Sequence, residues 1–183
     1  FKTYILAEQG TELLLIDKHA AHERILFEKL KEAHKTNGDI PRQTLLAPMR
    51  ISFSKDRYDC LLQNISLLSK TGFALEDFGD GSILVREIPT VMGMSEVEDM
   101  LEEAVDKLQK GNKHLELTIY DELYHSIACK AAVKGGSFTG LEEREELICL
   151  LQQNRNIRNC PHGRPVIVSM KKQELERMFG RIV

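Results

Sequence analysis

Three side chains near the start of the chain have the types and spacing of a metal site. Asp17 ends an apolar run, and His19 and Glu23 follow it in a segment with helical periodicity. Residues four apart lie on one face of a helix, so we expect His19 and Glu23 to share a face with Asp17 at the helix mouth, while Glu28 points off that face. Carboxylates and imidazole are ligands of Zn²⁺ and Mn²⁺. Taken alone, the pattern also fits a solvated helix start with Asp17 as its N-cap.

A second set of candidate ligands lies in the segment 159–165, which the sequence predicts to be a tight loop. Cys160 and His162 are two residues apart between Pro161 and Pro165. A thiolate together with an imidazole favours Zn²⁺ over Mg²⁺. Arg164, in the same loop, has a guanidinium group suited to binding a phosphate through two hydrogen bonds.

A third candidate ligand is Cys129, inside a predicted helix and four residues after His125. This spacing places the two side chains on one helix face. A cysteine in a helix is more often a small buried side chain than a ligand. The spacing alone leaves both interpretations open.

Strand and helix patterns alternate along the chain and indicate an α+β fold. A hairpin is predicted from 4–6 and 12–16, with the apolar run Leu13–Ile16 covered on both faces, and a helix follows over 18–35. The patterns predict further helices over 55–69, 95–110, 118 or 121 to 134, 139–153 and 169–179. They also predict further extended segments or strands over 41–48, 50–53, 73–77, 82–88 and 166–168.

Three helix starts carry N-cap signals. Ser95 with Glu98 and Thr139 with Glu142 have the spacing of a capping box, and Ser169 precedes the last predicted helix. The middle of the chain, about residues 50–112, alternates strands and helices in a way that could fold by itself. We therefore expect a subdomain inserted into a second one made from both chain ends.

Composition narrows the classes of function. The chain has 183 residues and a net charge of −3, and no apolar run approaches the length that spans a bilayer. The last 34 residues hold seven basic residues and two acidic ones, which favours contact with phosphates or simply a solvated surface. Four scattered cysteines indicate reduced thiols rather than a disulfide scaffold. Because strand pattern begins almost at Phe1, we expect a piece of a longer protein.

Four motifs, in order along the chain, resemble the C-terminal domain of the MutL family of DNA mismatch-repair proteins. The family's acidic endonuclease motif matches here at Asp17, His19, Ala20, Glu23 and Glu28, with Lys18 where the family usually has glutamine. Its Ala-Cys-Arg motif matches at 128–130, with Lys130 as the third residue. Its Cys-Pro-His-Gly-Arg-Pro motif is intact at 160–165, and its closing Phe-x-Arg falls at 179–181.

The resemblance implies an α+β fold of two subdomains. Residues 1–40 and 113–183 would form a dimerisation subdomain that carries the metal and nuclease site, and residues 41–112 an inserted external, regulatory βαββα subdomain. It also implies a homodimer, a bacterial cytoplasmic and nucleoid-associated location, and an N-terminal ATPase domain outside this chain that binds ATP. Duplex DNA and the mismatch-recognition protein MutS are implied partners, and no membrane is.

A further segment resembles the motif by which such proteins bind the replication sliding clamp. It reads Gln-Thr-Leu-Leu-Ala-Pro, and its matching residues are Gln43, Leu45, Leu46 and Pro48. An extended segment points Leu45 and Leu46 in different directions, so both cannot belong to one flat core layer. The alternative interpretation is an ordinary edge strand.

We therefore interpret the chain as a metal-dependent endonuclease that nicks one strand of duplex DNA, with Mn²⁺ as the activating ion and a Zn²⁺ of structural or regulatory role. The predicted essential carboxylates are Asp17 and Glu23; the further ligands are His19, Cys129, Cys160 and His162; the residues that position DNA phosphates are Lys130, Arg158 and Arg164. The main alternative is a zinc-stabilised dimerisation module without catalysis, and a metal-dependent hydrolase of small molecules is a second one.

Overall fold

A computed structural model describes residues 3–110, 116–134, 140–154, 157, 159–160 and 163–182. It has helices and sheets, which confirms the α+β class. The strands are β1 (Tyr4–Gln9), β2 (Glu12–Asp17), β3 (Arg42–Ser52), β4 (Ala74–Gly79), β5 (Ser82–Pro89) and β6 (Ile167–Lys171). The helices are α1 (Lys18–Asn37), α2 (Lys55–Gln63), α3 (Ile65–Lys70), α4 (Val97–Lys110), α5 (Glu116–Lys134), α6 (Leu141–Gln153) and α7 (Lys172–Met178), with a 3₁₀ turn at Met94–Glu96.

The chain divides into two compact units. The first combines residues 1–25 with 135–183, and the second is the intervening segment 26–134. This differs from the predicted boundaries at 40/41 and 112/113, because Leu26 and Leu30 of α1 and Leu123 and Ile127 of α5 are buried in the core of the second unit. We call the two units the terminal unit and the inserted unit. That the terminal unit dimerises stays a prediction.

The terminal unit contains an antiparallel sheet in the order β1-β2-β6. Ile5 pairs with Ile16, which pairs with Ile167, so these side chains share one face of the sheet. This inner face packs with Ala21 of α1 and Leu151 of α6 in one core. On the opposite face Leu6 and Val168 are about half exposed, so the described residues do not meet the expectation that Leu13–Ile16 is covered on both faces.

The inserted unit contains a second antiparallel sheet in the order β3-β5-β4. Ile83 and Val85 of the central strand β5 are fully buried. They belong to a core that also takes side chains from α2, α4, α5 and the second half of α1. Helix α1 is continuous from Lys18 to Asn37, so its first turns belong to the terminal unit and its last turns to the inserted one.

Two predicted elements have different extents in the structure. The segments 41–48 and 50–53 form one strand, β3, whose register shifts between Thr44 and Met49. The helix predicted over 55–69 is divided at Asn64, whose Nδ2 donates to the carbonyl of Cys60 over 2.8 Å. An asparagine side chain competes in this way with backbone hydrogen bonding, and the helix restarts as α3.

The predicted caps are wrong at two helices and displaced at a third. Ser95 lies inside the 3₁₀ turn, and its hydroxyl donates to Glu96 instead of accepting from a backbone N–H. Ser169 lies in β6 because pairing with β2 continues to Lys171, which is the N-cap of α7. Gly140 is the N-cap of α6, while Thr139 lies outside the described residues.

None of the helices within the described residues combines the length and the apolar character needed to cross a membrane.

Candidate functional site

Asp17 is held between the sheet and helix α1. Its Oδ1 accepts hydrogen bonds from the backbone nitrogens of His19 over 2.9 Å and Ala20 over 3.1 Å, which makes it the N-cap of α1. Its own backbone nitrogen donates to the carbonyl of Val166 over 3.0 Å. Both bonds go to Oδ1, and among the described residues no hydrogen bond to Oδ2 occupies the lone pairs that a further ligand would use.

His19 and Glu23 are in very different surroundings although they lie on one side of α1. His19, in the first turn, is exposed, whereas Glu23 is only 3% exposed. A carboxylate reaches such burial only where other groups compensate its charge, and a metal ion is one such group. Glu28 is half-buried and lies beyond the part of α1 that belongs to the terminal unit.

The described residues of the segment 159–165 lie close together, as the prediction of a tight loop requires. The nitrogen of Cys160 donates to the carbonyl of Arg164 over 2.8 Å, and the nitrogen of Gly163 donates to the carbonyl of Cys160 over 2.8 Å. Asn159 and Pro165 form an antiparallel bridge. Gly163 has φ of +81°, a conformation that favours glycine over any residue with a Cβ.

The acidic motif and this loop share one core. Cys160 is 3% exposed and packs in the same buried cluster as Ile16, Ala20 and Val166. Arg164 is exposed, while His162 and Arg158 lie outside the described residues. The structure thus brings the segments of Asp17, His19, Glu23 and Cys160 into one packed unit.

Cys129 and Lys130 lie on α5 in the inserted unit, and both are half-buried. Lys130 Nζ is 3.5 Å from Glu103 Oε2, so its charge is partly used within the protein. Burial raises the pKa of Glu103, but hydrogen bonds from Ser126 and Lys107 and the charge of Lys130 outweigh it and bring the pKa below its ordinary value.

Within the part of the chain that the structure describes, no three His, Cys, Asp or Glu side chains converge closely enough to hold an ion. The predicted ligand set includes His162, which is outside that part. The ligand roles of Asp17, His19, Glu23 and Cys160 therefore stay predictions that rest on the chemistry of the donors and on their common unit.

The segment 43–48 forms a bulge at the edge of the second sheet. Four residues of β3, 45–48, stand opposite the single residue Arg86 of β5. Leu45 is buried and Leu46 is fully exposed, as the extended conformation predicts. The amide nitrogen of Gln43 donates to the carbonyl of Met92 over 2.7 Å, so part of its hydrogen-bonding capacity is used within the chain.

Sequence reasoning missed an apolar surface on the outer face of the first sheet. Leu6 pairs with Leu15, which pairs with Val168, so the three side chains line one face. Tyr4, Leu6 and Val168 are 48%, 56% and 53% exposed. The signal was present, because Tyr4 and Leu6 alternate with the buried Ile5.

The chain is similar to known proteins over its full length. Residues 1–138 match the family described as the MutL C terminal dimerisation domain. Proteins named DNA mismatch repair protein MutL are 36% identical over 182 residues in Caldanaerobacter subterraneus, 36% over 180 in Clostridium botulinum and 35% over 183 in Thermoanaerobacter pseudethanolicus. These alignments cover 98–100% of this chain but only 27–30% of each relative. The chain therefore spans less than a third of their length.

Proposed function

The chain belongs to the family of MutL C-terminal dimerisation domains, and from this premise we propose that it is the dimerisation and endonuclease module of a DNA mismatch-repair protein. It nicks one strand of duplex DNA by metal-dependent hydrolysis of a phosphodiester. The parent protein acts with MutS and the replication sliding clamp in the bacterial cytoplasm, at the nucleoid.

One observation carries the nuclease part of this proposal. The acidic motif and the Cys-Pro-His-Gly-Arg-Pro loop, far apart in sequence, are joined by the backbone bond from Asp17 to Val166 and share the core around Cys160. Carboxylates, imidazoles and a thiolate in one unit form a donor set that fits Zn²⁺ or Mn²⁺.

The ligands have distinct duties in this proposal. Asp17 and Glu23 supply negative charge for a cation, and His19, Cys160 and His162 supply nitrogen and sulfur donors; Cys129 is a further candidate. The cap of α1 fixes the carboxylate of Asp17, and burial fixes that of Glu23. When bound, the ion stabilises charge on phosphoryl oxygens and lowers the pKa of a water.

Cationic residues in or near the matched motifs position the substrate in this proposal. Arg164 is exposed on the tight loop, where its guanidinium group can bind a DNA phosphate through two hydrogen bonds. Arg158 and Lys130 add positive charge, with Lys130 weakened by its pairing to Glu103. Such contacts orient DNA without reading its sequence.

Dimerisation uses the outer face of the first sheet. Three large apolar side chains, Tyr4, Leu6 and Val168, are about half exposed there. A second copy of the chain is the expected partner, because homo-oligomers usually close with two-fold symmetry, in which the same surface is used on both subunits.

The bulge of β3 binds the sliding clamp. Of the two leucines in the bulge, Leu45 is buried and Leu46 is exposed, so Leu46 is the one that can contact the clamp. The extended backbone is already ordered, so little conformational freedom is lost on binding. The edge position of β3 fits the alternative interpretation equally well, so the binding measurement in the Discussion decides between them.

A second candidate function is a zinc-stabilised dimerisation module without catalysis. The cap formed by Asp17 favours it, because the cap gives this carboxylate a structural role that is independent of catalysis. A structural zinc site needs only the ligands that close its coordination shell. A nuclease also needs carboxylates beyond those ligands, and this requirement distinguishes the two candidates.

A nicking assay on supercoiled plasmid tests the proposal. We expect the chain to convert supercoiled to open-circular DNA with Mn²⁺, and to stop when EDTA is added. The same reaction is run with and without the clamp, since the proposed clamp contact at β3 should stimulate nicking. Zinc bound without any nicking in either reaction would favour the structural module.

A further inference from the structure

A groove of about 460 Å³ runs along the outer face of the first sheet. Tyr4, Leu6, Leu15 and Val168 line it, together with Pro165 and Val166 from the segment that leads out of the tight loop. The lining is therefore apolar for most of its length, and its floor is formed by all three strands.

The groove ends at Asp17. Tyr4 is the register partner of Asp17, and Asp17 lies two residues after Leu15 on the same strand, so its side chain is on the same face as those of Tyr4 and Leu15. The carboxylate that caps α1 is thus also the charged end of an apolar surface. No other charged side chain is among the described residues that line the groove.

We infer that the dimer interface extends along this groove to Asp17, so that a second copy of the chain covers the side of the carboxylate that faces the groove and leaves its other side to the ion. This rests on the proposed dimerisation through the outer face. A second copy fits because the groove is continuous with the exposed side chains of Leu6 and Val168 and because this family dimerises by its C-terminal domain. DNA does not fit the apolar part of the groove, because none of the described residues that line it carries a positive charge to meet phosphate.

The geometry couples dimerisation to metal binding. Covering Asp17 with an apolar partner surface removes its charge from water on one side, which costs free energy unless the charge is neutralised. A cation at Asp17 neutralises it and should therefore favour the dimer. By thermodynamic reciprocity the dimer then binds the cation more tightly than the monomer does.

Sedimentation equilibrium on the purified chain tests this inference. A Val168→Ala background trims the interface so that its dissociation constant falls in a measurable range. In that background and without metal, we expect Asp17→Asn to tighten the dimer by at least about fivefold, since asparagine keeps the cap but removes the charge. We expect Mn²⁺ to tighten the Val168→Ala dimer and to leave the dimer of the double variant unchanged.

Glu12→Gln is the matched control. It removes a carboxylate at the other end of β2, outside the groove, and should change neither the dimer nor its response to Mn²⁺. If Leu6→Arg leaves the dimer intact, the proposed interface itself is wrong. If Leu6→Arg gives monomers but Asp17→Asn and Mn²⁺ leave dimer affinity unchanged, the interface is right and the inference about Asp17 is overturned.

Discussion

The backbone nitrogen of Asp17 donates a hydrogen bond to the carbonyl oxygen of Val166 over 3.0 Å. This bond joins the last residue of β2, where the acidic motif begins, to the residue that follows the tight loop 159–165. Because it uses backbone atoms, substitution of the Asp17 side chain leaves it in place. The relationship therefore allows the chemistry of the carboxylate to be tested separately from the fold.

The zinc ligands are tested first by elemental analysis. Cys160→Ser and His162→Ala should each lower the bound zinc of the purified chain, because each removes a donor atom. Cys149→Ser is the matched control, since Cys149 is exposed on α6 and should leave the zinc content unchanged. Unchanged zinc in both test variants would move the site elsewhere, with His125 and Cys129 as the next candidates.

The oligomeric state tests the apolar outer face. Leu6→Arg should convert the dimer to a monomer at micromolar concentration, measured by light scattering, because it places a charge in the centre of an apolar interface. Leu141→Arg, at an exposed leucine of the same unit on α6, should stay dimeric. A wild-type chain that is already monomeric would contradict the assignment.

Clamp binding is tested at the bulge of β3. Leu46→Ala should abolish binding to the purified clamp while the melting temperature stays within about 2 °C of wild type, because Leu46 is fully exposed. Gln43→Ala should also lower the free energy of unfolding by about 1 kcal/mol, since it loses the bond to Met92. Unaltered clamp binding by Leu46→Ala would leave the segment an ordinary edge strand.

The polar contact between α4 and α5 gives a pH-dependent prediction. Ser126 is buried and donates to Glu103 over 2.6 Å, so Ser126→Ala should lower the free energy of unfolding by about 1–2 kcal/mol at neutral pH. The pKa of Glu103 is lowered in the fold, so its stabilisation is present above its ordinary pKa and is lost as pH falls through the lowered value.

Urea unfolding at several pH values measures this effect. The difference between Ser126→Ala and wild type should narrow as the pH falls from neutral through the lowered pKa of Glu103. Ser66→Ala, at an exposed serine of α3, should show no such trend. A difference that is independent of pH would assign the loss to packing rather than to the carboxylate.

Local sequence patterns predicted the structure correctly where a residue has one dominant role. The predicted hairpin before α1, the tight loop around Gly163 and the opposite directions of Leu45 and Leu46 all agree with the structure. The N-cap role of Asp17 is likewise visible in its position between an apolar strand and a helical pattern.

Local sequence patterns did not predict which of several possible partners a side chain or a strand would bind. The hydroxyl of Ser95 was available to a backbone N–H but bonds Glu96 instead, and Asn64 divides a helix through its own side-chain bond. Ser169 stays in β6 because a partner strand, distant in sequence, extends the pairing to Lys171. The unit boundary inside α1 depends on packing of Leu26 and Leu30, which periodicity alone does not assign to either unit.

The most direct test of the nuclease assignment is Mn²⁺-dependent nicking of supercoiled plasmid by Asp17→Asn beside wild type. Asparagine retains the cap of α1 and the backbone bond to Val166, so circular dichroism and light scattering should show a folded dimer. The exposed Asp59→Asn serves as the matched control and should nick at the wild-type rate. We predict that Asp17→Asn lowers the nicking rate at least about a hundredfold, because the carboxylate that helps to hold the ion has lost its charge. A folded, dimeric Asp17→Asn that nicks at the wild-type rate would contradict the assignment.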